Sequence, residues 1–118
     1  MARVDKTQSA IAVTRVPANA DFAQADWDKV IPVGVNATGK LVKGAGTTGI
    51  IGVVIPGKTV YRAGQIMDVF GNGSEIVEVT GLAAGTRYYA SAAGAITTTN
   101  TDSPLGWTVE ADRLIVTI

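Results

Sequence analysis

Beyond Pro32 the apolar residues fall into short β-branched runs, IIGVVI, QIMDVF, EIVEVT, TRYYA, AITTT and RLIVTI, separated by glycine-rich polar stretches. Runs this short, rich in Val, Ile, Thr and Tyr, predict strands, and their regular spacing predicts an all-β fold: a small glycine-rich β-barrel or sandwich. In QIMDVFGNGSEIVEVT the pair Asn72-Gly73 supplies the two residue types that tolerate positive φ in a type I′ turn, which predicts a β-hairpin. In that register Ile66 and Phe70 share a face with Val77 and Val79, and also with Asp68 and Glu75, so the face is expected to be partly buried.

The N-terminal quarter is built differently. All fourteen glycines lie between Gly34 and Gly106, and the first 33 residues have none. In PANADFAQADWDKVIP, Asn19 is placed to cap a helix, and Ala23, Trp27 and Val30 follow at helical spacing before Pro32 ends the pattern. A short helix or turn is predicted there, and at most one or two short helices in the whole chain. Residues 3–9 are polar, and Ile11 and Val13 then alternate with polar neighbours without a nearby hairpin partner. This predicts an extended N-terminal arm over residues 1–18 that borrows its strand partner from another protein, followed by a single β-rich domain over residues 19–118.

Composition bounds the function. A chain of 118 residues makes one domain and buries roughly two-thirds of its unfolded surface. With 47% apolar and 17% charged residues it reads as a soluble globular protein, and no apolar run approaches a membrane span. No secretory signal is visible at the start, and the absence of cysteine excludes disulfide support. Basic and acidic residues cancel at ten each, yet they are segregated. Lys40, Lys43, Lys58 and Arg62 are the only charges from Ile31 to Arg62, whereas beyond Ala63 six acids face only Arg87 and Arg113. Four dispersed cations without interleaved aromatics do not make a nucleic-acid surface. The two blocks are expected to pair within one molecule or between neighbouring copies.

Three motifs overlap in GVNATGKLVKGAGTTG, and context argues against each. The P-loop match ends in Leu41 where a magnesium-binding Ser or Thr belongs, and no helix follows. GAGTTG precedes IIGVVI, a strand, whereas a dinucleotide fingerprint opens a helix. The sequons at Asn36 and Asn72 read as turn residues. Catalysis is equally poorly supplied. There is no histidine or cysteine, and Glu75 and Glu78, three apart on a strand, point to opposite faces. Asp21, Asp26 and Asp28 lack the spacing of a calcium loop. The expectation is a protein that is not an enzyme and takes no cofactor or metal. Trp27, Tyr88, Tyr89 and Trp107 are the candidate interface aromatics.

The stretch TGIIGVVIPGKTVYRAGQIMDVFGNGSEIVEVTGLAAGTRYYASAAGAITTT, closed by LIVTI, resembles the capsid decoration proteins of tailed bacteriophages. The resemblance lies in a hydrophobic strand ending in G-V, an A-G-x-x-x-D-V strand, then G-L-x-A-G-T-x-Y-Y-x-S and A-G-x-I-T, and it covers residues 27–118. It implies a β-rich protein, a homotrimer, that binds the major capsid protein on the outer surface of the assembled head and stabilises it. Made in the host cytoplasm, such a protein ends on the virion and needs no nucleic acid and no membrane. The resemblance also assigns capsid binding to the arm, through Ala2, Arg3, Val4, Ile11, Val13 and Arg15. A second reading is a fibre-tip or receptor-binding module that stacks a host glycan on Tyr88, Tyr89 or Trp107.

Overall fold

Each β-branched run of the sequence carries a strand in the computed structural model, which describes residues 3–4, 12–27, 29–57 and 60–118. Among the described residues there are eleven strands: β1 (Arg3–Val4), β2 (Ala12–Pro17), β3 (Ile31–Val35), β4 (Leu41–Lys43), β5 (Gly52–Val54), β6 (Ile66–Phe70), β7 (Glu75–Val77), β8 (Arg87–Ala90), β9 (Ile96–Thr97), β10 (Ser103–Thr108) and β11 (Arg113–Val116). They form a six-stranded sheet in the order β1-β7-β11-β10-β8-β9 and a five-stranded sheet in the order β2-β6-β5-β3-β4. All strand pairs are antiparallel. The fold is all-β. The predicted helix contracts to a 3-10 turn at Gln24–Asp26, whose preceding residue is Ala23 rather than Asn19. There the Asp26 carboxylate accepts the Ala23 N–H at 3.2 Å, and Asn19 is engaged elsewhere, accepting from the Asn36 amide at 3.1 Å.

The five-stranded sheet rolls up. Its two edges, β2 and β4, meet where Ala18, the residue after β2, bridges to Leu41, and the Asn19 N–H donates to the Leu41 carbonyl at 2.9 Å. Val16, Ile31, Val33, Leu41, Val54, Met67 and Val69 fill the inside of the roll. Phe22 closes it, exchanging two backbone hydrogen bonds with Tyr61. The other face of this sheet packs on the six-stranded sheet: Val53 and Phe70 meet Ile76, Ala90, Leu105, Leu114 and Val116, with Val30, Ile50 and Val79 contributed by connections. The sheet is therefore apolar on both faces. This accounts for runs such as IIGVVI, which do not alternate.

Two expectations are corrected here. Asn72-Gly73 does not close a hairpin, because β6 lies in the five-stranded sheet and β7 in the six-stranded one. A type I′ turn requires positive φ at both central residues; Gly73 has φ +89°, whereas Glu78 is the non-glycine residue at positive φ among the described residues. The turn at 71–74, with Ser74 N–H on Gly71 O at 3.1 Å, is a corner that leads from one sheet to the other. Secondly, the alternating segment around Val13 has its partner within the same molecule. β2 pairs with β6 from Ala12 opposite Phe70 to Pro17 opposite Ile66.

Candidate functional site

Alternation along β8 and β10 decides which candidate aromatics can meet a partner. Tyr88 points into the core at 7% exposure, and its hydroxyl accepts the Ala83 N–H at 2.7 Å. Its neighbours Arg87 and Tyr89 therefore point outward, opposite Trp107 and Pro104 of β10. Between those two residues the register shifts, and both Leu105 and Gly106 are buried. That bulge turns Trp107 out, leaving it 37% exposed. Across the sheet, Trp107 pairs with Ile115, and Ile115 with Glu75. The outer face of the six-stranded sheet thus presents a row Arg87, Trp107, Ile115, Glu75, with Tyr89 and Pro104 alongside. Trp27 stands apart from this row, half-buried after the 3-10 turn, its backbone N–H on Gln24 O at 3.1 Å.

The exposed tip of Trp107 and the bonded hydroxyl of Tyr88 predict opposite mutational behaviour. Tyr88→Phe strands the Ala83 N–H and should cost about 1–2 kcal/mol in thermal melts, whereas Trp107→Ala should cost less than about 1 kcal/mol.

The arm candidates are placed as follows. Ala2 and Ile11 lie outside the described residues. Arg3 and Val4 form β1, paired at the edge of the six-stranded sheet with Val77 and Ile76. Val13 sits at a register shift of β2, 50% exposed, over Gly71. Arg15 reaches across to Asp68, Nε to Oδ1 at 2.8 Å, a surface pair worth about 0–1 kcal/mol. Residues 12–15 are all exposed, on a strand at the sheet margin. Asp28 also lies outside the described residues.

The charge blocks do not pair with each other in the ion pairs formed by described residues. Lys43 takes Asp26 at 2.7 Å and Arg62 takes Asp21 at 3.9 Å, both acids of the N-terminal quarter. Among the acids of the C-terminal half, Glu75 and Glu110 share Arg113, at 3.8 and 3.1 Å. Lys43 also lies 5.2 Å from the Phe22 ring centre, and with Asp26 it lines an open cleft of about 370 Å³ together with Lys29, Val79 and Ile96. The P-loop candidate is β3, a turn and β4, with Asn36 Oδ1 accepting the Thr38 and Lys40 N–H groups at 3.1 and 2.9 Å. An asparagine turn accounts for this segment.

No family model matches the sequence, and no curated protein matches it. A solved structure from Mycobacterium phage Patience superposes with a TM-score of 0.82, covering 98% of this chain and 95% of that chain at 20% identity. What the two share is the fold. The likeness extends over nearly the whole length, so it takes in the N-terminal strands as well as the region after Trp27 that carries the sequence pattern.

Proposed function

We propose that this protein is a capsid decoration protein of a tailed bacteriophage. In this reading it binds the major capsid protein on the outer surface of the assembled head as a homotrimer, has no catalytic role and takes no cofactor. The observation that carries the proposal is the full-length fold likeness to a structure of phage origin, added to the G-L-x-A-G-T-x-Y-Y-x-S pattern at residues 81–91. A protein that binds only the finished lattice stabilises it by mass action, about 2.7 kcal/mol per site at a hundred times its dissociation constant, multiplied over many sites. The exposed margin of β2 around Val13 and Arg15 is the surface we assign to the shell, because residues 12–15 are exposed on the outermost strand of the sheet order, and an edge strand is where a further strand adds through backbone hydrogen bonds.

The outward pair Tyr89 and Trp107 favours the second reading, a module that stacks a glycan. One experiment separates the two. Mixed with undecorated heads and sedimented, a decoration protein saturates them at a fixed ratio to the capsid subunit, and Trp107→Ala leaves the ratio unchanged. A glycan module leaves the heads bare and binds host cells or polysaccharide, and Trp107→Ala abolishes that binding.

A further inference from the structure

We propose that Asn72-Gly73 is a latent modification site, a deamidation site kept closed by residues 116–118. Asparagine followed by glycine is the pair most open to succinimide formation, because glycine offers the attacking backbone nitrogen without side-chain hindrance. In that reaction the Gly73 nitrogen loses its proton to solvent and attacks the amide carbon, Cγ, of the Asn72 side chain. The Cγ–Nδ2 bond breaks and ammonia leaves. Water then opens the imide at either carbonyl, giving aspartate or isoaspartate at position 72.

The corner blocks both requirements of the attack. The Gly73 N–H is donated to the Val116 carbonyl at 2.9 Å, so its proton is held. The Asn72 side chain is fixed at both ends by one backbone residue: Nδ2 donates to the Ile118 carbonyl at 3.3 Å, and Oδ1 accepts the Ile118 N–H. The Val116 N–H donates to Ser74 O at 2.9 Å, which ties the same segment to the far side of the turn. Neither the rotation of Asn72 nor the release of the Gly73 nitrogen is possible while these bonds stand. Asn72 itself is exposed, so solvent access does not limit the reaction. What limits it is detachment of residues 116–118, and the modification records how often that happens.

The product reinforces the opening. In the aspartate product the side-chain carboxylate still accepts the Ile118 N–H but cannot donate to the Ile118 oxygen and sets negative charge against it; in the isoaspartate product the main chain runs through the former side chain, which removes both contacts. Conversion is irreversible and weakens the contact that prevented it. This inference stands independently of the capsid reading.

The test follows conversion at position 72 by peptide mass spectrometry in the purified full-length protein at mildly alkaline pH. Three samples are compared: folded wild type, wild type in concentrated urea, and Ile118→Pro, which lacks the donor to Asn72 Oδ1. With several bonds to break, folded wild type should convert at least about ten-fold more slowly than the unfolded protein, and Ile118→Pro about five-fold faster than folded wild type. Equal rates in folded and unfolded wild type, or no acceleration in Ile118→Pro, would overturn the proposal. Hydrogen exchange at the Gly73 amide of wild type gives a check that needs no variant. Its protection factor should match the slowing of conversion, and a protected amide beside conversion at the unfolded rate would equally refute it.

Discussion

Deleting residues 1–16 should leave a protein without a cooperative thermal transition, whereas deleting residues 1–11 should leave one that melts near the full-length protein. The longer deletion removes β2 up to Val16, and with it most of the ladder against β6. It strips cover from Met67 and Val69, removes buried Val16, and leaves Ala18, which closes the roll on Leu41, without the strand that leads into it. Each such side chain, when buried, contributes about 1.5–3 kcal/mol, so three of them match the whole net stability of a small domain, about 5–15 kcal/mol, at its lower end. Among the described residues the shorter deletion removes the two residue pairs of β1 from the six-stranded sheet. Circular dichroism melts of both truncations decide the matter. A cooperative transition for the 1–16 deletion within about 5 °C of full length, the shift expected for roughly 1 kcal/mol, would show that β2 is dispensable to the fold. Since the 1–11 deletion is expected to fold, its co-sedimentation with heads reports on Ala2 to Ile11 separately from Val13 and Arg15.

Gly44→Ala should destabilise by more than about 3 kcal/mol, because overpacking and left-handed backbone strain act together at this position. Gly44 follows β4 with φ +89°, and a methyl group there would stand 2.1 Å from the Ala92 carbonyl oxygen. The neighbouring bond, Ala45 N–H to that same carbonyl at 3.1 Å, ties the five-stranded sheet to the turn between β8 and β9. The atoms that the added Cβ would meet are backbone and the Cβ itself has no rotamer, so no side-chain movement relieves the conflict. Gly39→Ala is the matched control. Its φ is +80° with no atom within 4 Å of the added carbon, so only the strain remains, about 1 kcal/mol. Urea denaturation of the two variants isolates the inter-sheet contact as their difference. Equal losses would mean that the two sheets do not depend on this approach.

The candidate site was legible in part, and the reason differs from residue to residue. That Tyr88 and Tyr89 face opposite ways follows from strand geometry, but which of them faces the core depends on the sheet opposite, which local sequence does not encode. Trp107 is outward because of a bulge at Leu105 and Gly106, an irregularity that carries no signature in SPLGWT. Val13 and Arg15 read as unpartnered because β6, their partner, begins about fifty residues downstream. The segregated charges suggested that the two blocks would pair with each other, within one molecule or between copies, and only the first of these is answered by a single chain. In the fold Lys43 and Arg62 find Asp26 and Asp21, brought close by the segment that caps the roll.

The amino-acid sequence by itself determined the class of the fold and the positions of most strands, because β-branched runs and glycine breaks act through neighbours a few residues apart. It also determined where the backbone turns at Asn36 and Asn72, since asparagine and glycine favour turns locally. Only the tertiary structure decided which strands share a sheet. At Asn72-Gly73 a hairpin and a corner present the same residues, and the choice fell to long-range partners: Val116 and Ile118 take the hydrogen bonds of the turn, while Phe70 and Ile76 bury their side chains between the two sheets. The free energy of that burial, of order 1.5–3 kcal/mol for each residue, exceeds the small difference between turn types, so the packing of distant segments sets the path of the backbone.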